Sequence, residues 1–511
     1  MLGTVTSAAI IGLHAERVDV ECDIALGLPN FLIVGLPGKS VEEARERVRS
    51  AIRNCGAVFP PRRITVNLAP ADVRKAGPSY DLAIAASVLA ATGQIILPDY
   101  PVAVLGELSL DGTVRPTTGV LASLLGAKEW GVHSAFVAAG NLAEAQLVQG
   151  VALYPVAHLR ELIEHFQDAR LIKASGHKRP KVPEGQRPEV DFADIAGQEH
   201  VKRALEIAAA GGHNLLLSGP PGSGKTLLAK ALSGILPQMS FEEQLELTKI
   251  YSIAGLLGAD RPLITRRPMR HPHHTSSTAS LTGGGAWPRP GEISLAHRGV
   301  LFLDEVAEFP RFALEALRQP LEDRRITISR AAMTLEFPAD ITLVASANPC
   351  PCGFAGEGRC TCSAQAIRRY NRRLSGPFLD RIDLRAWVPR VNFEQISSEI
   401  PGESTETIRT RVEAARELQR KRFRRTGPLT NAEMQPAQLR TFCELSEDGL
   451  LLLRRAMNTN RFSARTYHRI IKVARSIADL EAATEISPGH IAEAIHYRCE
   501  PSQSFSTPVL K

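Results

Sequence analysis

Short apolar runs alternate with helical periods over the first third of the chain. FLIVGL, ITVNLAP, VAVLGEL and SAFVAAG are rich in β-branched residues, and VEEARERVRSAIRNC and YDLAIAASVLAAT carry the spacing of helices. This alternation predicts an α/β domain over 1–172. KASGHKRPKVPEGQRPEV then breaks the pattern with Pro, Gly and charge, which predicts a solvated linker over 173–190. From 191 to 391 the runs NLLLSG, GVLFLDE and ITLVASAN suit buried parallel strands built from βαβ units. Beyond 391 the strands fade. TIRTRVEAARELQRKRFRR, DGLLLLRRAMNTN and RTYHRIIKVARSIADLEAA keep a helical period, which predicts a helical domain over 392–511. The expected fold class is α/β, with a helical lid after the second sheet.

Composition narrows the class. The 511 residues exceed one domain, and 44% hydrophobic with 23% charged residues is the balance of a folded chain. No apolar run is long enough to span a membrane, and the first residues lack the basic start of a secretory signal, so a cytoplasmic protein without membrane contact is expected. Lys and Arg number 61 against 54 Asp and Glu, a formal charge of +7 that permits polyanion binding without requiring it. Eight cysteines make no disulfide framework; in a reducing compartment the four that cluster point to metal or catalysis.

GPPGSGKT follows the apolar run NLLLS and precedes LLAKALSGIL, the strand–loop–helix setting of a P-loop. Across Gly219, Pro220, Pro221, Gly222, Ser223 and Gly224 the backbone amides can close around phosphates at a helix N-terminus. Lys225 offers a charge to the outer phosphates and the Thr226 hydroxyl a ligand to Mg²⁺, so ATP with Mg²⁺ is the expected cofactor. GVLFLDE ends on Asp304, expected to hold Mg²⁺ through water, and Glu305, expected to polarise the attacking water. These parts resemble the AAA+ ATPases. The resemblance implies that Asn348 in VASANPC orients the lytic water and that Arg381 in PFLDRIDL is an arginine finger for a neighbour's γ-phosphate. It also implies that Arg465 in SARTYHR is a second sensor touching the bound nucleotide. A finger acting in trans implies a closed head-to-tail ring, a hexamer in that family.

The gap between Lys225 and Asp304 leaves room for an insertion, RRPMRHPHHTSSTASLTGGGAWPRPGEISLAH, with Arg266, Arg267, Arg270, His271, His273 and His274. HPHH has neither a regular facing geometry nor nearby acids, which argues against a metal there. PGEISLAHRGVLFLDE resembles the magnesium-chelatase-like and MCM-like AAA+ branch, which implies a hairpin projecting into the ring pore. A second hairpin is expected in RRITISRAAMTLEFPAD, with Arg330 near its tip. Arg270, His273, His274 and Arg330 are then candidates for phosphate-backbone contacts to DNA, with Trp287 a candidate for base stacking. The basic run from Arg416 to Arg425 reads as a solvated helix face, a secondary DNA contact being its alternative. Cys350 and Cys352 with Cys360 and Cys362 form two close pairs across a short loop, which fits a structural Cys₄ Zn²⁺ site.

In the N-terminal segment, PADVRKAGPSYDLAIAA and GELSLDGTVRPTTGV resemble the active-serine region of Lon-type proteases, with Ser79 at the nucleophile position. Ser123 stands where the Lon-type base Lys would be, and Lys128, five residues on, would face away on a helix. A Lon-like fold without peptidase activity is expected, with Ser79 a turn or helix-cap residue. Taken together, the motifs resemble the bacterial ComM (YifB) family over nearly the whole chain. That resemblance implies a hexameric, ATP-driven DNA motor of helicase type. It would promote branch migration while DNA is integrated in natural transformation, with single-stranded or branched DNA and recombination proteins as partners. An AAA+ remodeller acting on a protein partner, like the magnesium chelatase motor subunit, is the alternative.

Overall fold

The apolar runs of the N-terminal segment become a seven-stranded sheet in the computed structural model, which describes residues 2–178, 180, 189–258, 260–285, 288–330, 333–356, 358–397, 402–424 and 427–499. Its spatial order is Asn30–Val34, Arg63–Ala69, His14–Ala25, Gly3–Ile11, Val102–Leu105, Ser134–Ala138, Ala152–Val156. His14–Ala25 runs antiparallel to both neighbours and the remaining pairs are parallel. Both faces are covered, which is why the strands read as continuous apolar runs. In Val102–Leu105, Val102 and Val104 join one buried cluster while Ala103 and Leu105 join another. Helices Ala44–Asn54 and Asp81–Ala91 fill the first cluster and Val120–Glu129 the second. Asp81 tolerates burial because Arg47 donates to it at 2.6 and 3.0 Å and the Leu108 amide at 3.2 Å.

The chain divides into two compact units, Met1–Val182 with Ser240–Thr265, and Pro183–Met239 with Arg266–Lys511. This differs from the sequence-based division in three places. Ser175 exchanges backbone bonds with Leu153 at 2.7 and 2.9 Å and the Lys178 amide bonds Gln146 O at 3.0 Å, so the N-terminal unit absorbs the start of the expected linker. Residues 179 and 181–188 of that linker lie outside the described residues.

Residues Ser240–Thr265, expected in the second sheet's domain, fold with the first. Helix Phe241–Ala254, opened by a capping box between Ser240 and Glu243, packs on Val120–Glu129. The Glu144 carboxylate accepts from Ser252 Oγ at 2.5 Å and the Leu121 amide at 2.8 Å, which fixes the helix there. The expected Lon-type positions lie in this unit. Ser123 Oγ bonds Gly119 O at 3.0 Å within its own helix. Of the two roles expected for Ser79, the turn is the one found: it lies in the turn before Asp81–Ala91, and Tyr80 takes the cap position.

In the second unit the strands Met269–Arg270, Val300–Leu303, Thr342–Ala347, Leu215–Ser218 and Leu384–Trp387 form one parallel sheet in that order. Helices Thr405–Phe423, Glu447–Asn460, Ala464–Leu480 and Pro488–His496 each start behind a serine. Ser404, Ser446, Ser463 and Ser487 accept the amide three residues on. The third difference is here. One buried cluster joins Leu217, Phe302 and Val344 of the sheet to Val412, Ile470 and Ile491 of these helices, so the helical segment shares the core of the sheet. Among the described residues no helix is long and apolar enough to cross a membrane. Arg325–Arg330 and Met333–Pro338 form an antiparallel pair with Arg330 opposite Met333. The insertion carries a helix, Thr278–Thr282, and a short antiparallel pair, Gly283–Gly284 with Arg289–Pro290.

Candidate functional site

A parallel sheet gathers the loops after its strands at one end, and there the candidate nucleotide residues meet. Leu215–Ser218 delivers the loop Gly219–Gly224, and the helix Lys225–Ile235 starts behind it. Gly222 and Gly224 have φ of +76° and +90°, and a Cβ built on either would meet nothing within 4 Å, which leaves the concave side of the loop open. Lys225 Nζ donates to Gly219 O and Pro220 O at 2.8 Å and to Asn348 Oδ1 at 3.2 Å. Burial lowers its pKa, opposed by the charges of Asp304 and Glu305. Thr226 Oγ1 donates to Asp304 Oδ2 at 3.1 Å, which puts a hydroxyl and a carboxylate side by side as hard cation ligands. Glu305 is exposed, with φ of +49°, and its amide donates to Ser346 Oγ at 3.0 Å and to Asp304 Oδ1 at 3.1 Å. The open loop, the lysine, and the hydroxyl–carboxylate pair together fit a nucleotide triphosphate with Mg²⁺.

Two contributors are absent from the sequence-based reading. Ser346 Oγ donates to Asp304 Oδ1 while accepting from the Glu305 amide, so one hydroxyl ties the Asp304 carboxylate to the Glu305 backbone. It stands on the strand Thr342–Ala347, two residues before Asn348, which follows the strand's end. Gln198, at φ of +60°, donates through Nε2 to Ser223 O and Pro389 O at 2.9 Å and so braces the loop. No local motif announces it.

Arg381 and Arg465 are not brought to this loop. Arg381 is 4% exposed; it donates to Pro377 O at 2.6 Å and Arg318 O at 3.1 Å and pairs with Glu322 at 2.6 Å. Its carbonyl accepts from Asn214, just before Leu215–Ser218, which places it at the opposite end of the sheet. Arg465 lines a cavity of ≈ 310 Å³ with Asn214, Ile341 and Asp383, at that same end. The expected contact of Arg465 with its own chain's nucleotide is therefore corrected. Ala464–Leu480 packs on Glu199–Gly211, and this carries Arg465 to the N-terminal strand ends.

The four cysteines meet as expected from their spacing. The Sγ atoms of Cys350, Cys352, Cys360 and Cys362 all lie within 4.8 Å of one another, with three separations of 3.3, 3.7 and 3.9 Å. A tetrahedral ion with Zn–S bonds of about 2.3 Å needs sulfurs about 3.8 Å apart. The amides of Phe354 and Thr361 pull the Cys352 thiol down to about 6, which favours a ligating thiolate. Gly353, with φ of +82°, brings this loop against the P-loop; a Cβ there would lie 2.5 Å from Pro221 Cδ.

The basic residues of the insertion are largely committed. Arg270 makes a two-pronged ion pair with Glu292 at 2.6 and 2.7 Å, and Arg267 donates to Pro237 O and Arg298 O at 2.7 Å, so neither presents a free guanidinium. As a DNA candidate, Arg270 would have to exchange Glu292 for phosphate. His273 is exposed, shares a hydrogen bond of 2.8 Å between its Nδ1 and Thr275 Oγ1, and lies with its ring tilted against His274 at 4.1 Å. Trp287 lies outside the described residues. In the run from Arg416, Arg416 bonds Ala209 O at 2.9 and 3.1 Å, with burial pushing its guanidinium down to about 10, and Arg422 grips Asp479 at 2.5 and 2.8 Å. Those two belong to packing rather than to a solvated face.

Three family profiles match the chain: "Magnesium chelatase, subunit ChlI" over 191–396, "Subunit ChlI of Mg-chelatase" over 20–141, and "Magnesium chelatase, subunit ChlI C-terminal" over 402–498. The chain is 42% identical to YifB of Escherichia coli over 97% of both chains. It is 41% identical to the competence protein ComM of Haemophilus influenzae, again over 97% of both. Lon protease 2 of Bacillus subtilis is 29% identical over 37% of this chain and 34% of its own.

Proposed function

The chain belongs to the magnesium-chelatase-like AAA+ family of YifB and ComM, and from that premise we propose that it is an ATP-driven DNA motor. In this reading a hexameric helicase promotes branch migration on single-stranded or branched DNA while incoming DNA is integrated during natural transformation. Membership of the family implies ATPase activity. The observation that supports the motor most is the meeting of Lys225, Thr226, Asp304, Glu305 and Asn348 at one end of the parallel sheet. The competence role given to ComM by its name supports the setting.

Lys225 and Thr226 would hold the outer phosphates and Mg²⁺ of ATP, with Asp304 steadying the metal's water. Bound ATP with Mg²⁺ supplies the phosphoryl group and neutralises charge on it. Glu305 would take the proton of the attacking water, and Asn348 would fix that water's orientation. Arg381 and Arg465 stand at the other end of the sheet, so in a head-to-tail ring they would serve a neighbour's nucleotide. Arg381 would then exchange Glu322 for phosphate. Cys350, Cys352, Cys360 and Cys362 would hold a structural Zn²⁺ that shapes the segment behind Asn348. His273, His274 and Arg330 would contact DNA from the two hairpin regions.

Branch migration and strand separation on forked and four-way DNA test the proposal, with ATP hydrolysis followed in parallel. The wild type should show DNA-stimulated hydrolysis, and Lys225→Ala and Glu305→Gln should lose both activities. Absence of DNA binding and of stimulation at modest salt, with nucleotide present, would refute the DNA reading.

A further inference from the structure

Four arginines around the cysteine loop take no part in the nucleotide site. Arg359 lies between the two cysteine pairs, Arg368 and Arg369 on the helix Ala364–Asn371, and Arg372 at its C-cap. All four are exposed, and among the described residues none has a side-chain hydrogen bond or ion pair. The helix is held from its other side. Tyr370 is 5% exposed, and Arg373 pairs with Glu308 at 2.6 Å while lying 5.7 Å from the Tyr370 ring. Arg368, Arg369 and Arg372, spaced at three and four residues, are left as one outward stripe. From Cys350 to Arg373 the chain has five arginines and a single acid, Glu357.

A solvated helix face ordinarily mixes both signs of charge, because like charges held together repel. A one-signed, unpaired stripe is complementary to a row of phosphates, and guanidinium groups bind phosphate in two-pronged fashion. The insertion cannot supply such a stripe, since Arg267 and Arg270 are bonded within the fold. We propose that the cysteine loop and the helix behind it form a DNA-binding surface that takes the phosphodiester backbone on Arg359, Arg368, Arg369 and Arg372. The proposal rests on the DNA-motor reading and gives that motor a contact outside the two hairpins. Because Gly353 of the same loop meets Pro221 of the P-loop, DNA held here would bear on the segment that starts at Asn348.

The test is fluorescence anisotropy of a labelled single-stranded oligonucleotide with the full chain and nucleotide, over a range of salt. Replacing all four by alanine should lower the slope of log K against log salt by about 2–3 units, at about 0.7 per contact. The corresponding lysine variant should keep the slope within about one unit of wild type, since an ammonium also releases a counterion. Arg454→Ala with Arg455→Ala, an exposed pair elsewhere on the same unit, serves as the charge control and should leave the slope alone. Zinc content is measured on every variant. If wild type binds and the alanine variant keeps its slope, the surface is refuted while the motor reading stands. The surface is equally refuted if the lysine variant fails like the alanine one, or if affinity falls only in step with zinc, because the arginines would then balance thiolates. A wild type that does not bind DNA at all refutes the motor reading as well.

Discussion

Lys225 and Glu305 show how much of the chemistry rests on single side chains. Burial lowers the Lys225 pKa, and the charges of the neighbouring Asp304 and Glu305 oppose that shift. Glu305→Gln should reduce turnover about 100-fold or more while nucleotide binding persists, as stopped hydrolysis with retained fluorescent-nucleotide affinity would show. Asp383 is a structural counterpart. Burial alone would raise its pKa, but Arg469, His213 and the Asn214 amide outweigh it and hold the carboxyl well below the usual range. A depressed folded pKa contributes stability above the unfolded value of about 3.9, lost as pH falls below it. Melting curves from about pH 7 down to about pH 3 should therefore show the second unit weakening at the acid end. Asp383→Asn should flatten that dependence and cost about 3 kcal/mol by leaving Arg469 without its buried partner. The P-loop residues were legible in the sequence because their neighbours in space are neighbours in the chain. Ser346 and Gln198 were not, since each is defined by oxygens or amides from distant segments.

Among elements, the contact of the cysteine loop with the P-loop has the clearest consequence. Gly353→Ala places a Cβ 2.5 Å from Pro221 Cδ at a φ of +82°. It should cost about 1–2 kcal/mol in backbone strain and raise KM for ATP several-fold, read from melts and steady-state hydrolysis. Chelation with a strong zinc ligand should release one equivalent per chain and weaken ATP binding in the same way; unchanged affinity after zinc release would separate the two loops. In the first unit, Glu144→Ala should cost about 2–3 kcal/mol, because it leaves the Leu121 amide and Ser252 hydroxyl without their acceptor. Nothing local to Phe241–Ala254 announced that its partner would be Val120–Glu129, more than a hundred residues away. The pairing of Arg325–Arg330 with Met333–Pro338 was legible because strict alternation is a local property.

At the scale of the whole molecule, the separation of Arg381 and Arg465 from their own P-loop would, in the proposed head-to-tail ring, make activity a property of paired chains. An equal mixture of Lys225→Ala and Arg381→Ala proteins, each inactive alone, should regain hydrolysis, since roughly one interface in four would combine an intact loop with an intact arginine. No recovery after subunit exchange would exclude the role in trans. The helical segment was legible as helices but not as part of one core with the sheet. The residues that join it, Val412 and Ile470 against Leu217, come together only in the folded unit.

Local rules already contained the nucleotide loop, the acids after its neighbouring strand, the cysteine quartet and most helices and strands. Each depends on backbone conformation or side-chain period over a few consecutive residues. Tertiary structure decided which charges are available. Arg267, Arg270, Arg416 and Arg422 are spent on carbonyls and carboxylates supplied from elsewhere in the fold, while Arg359, Arg368, Arg369 and Arg372 face water. It also placed Arg465 at the far end of the sheet and Ser240–Thr265 in the first unit. A guanidinium's partner is chosen by burial and by which acid folding brings within reach, and neither is written in the residues beside it.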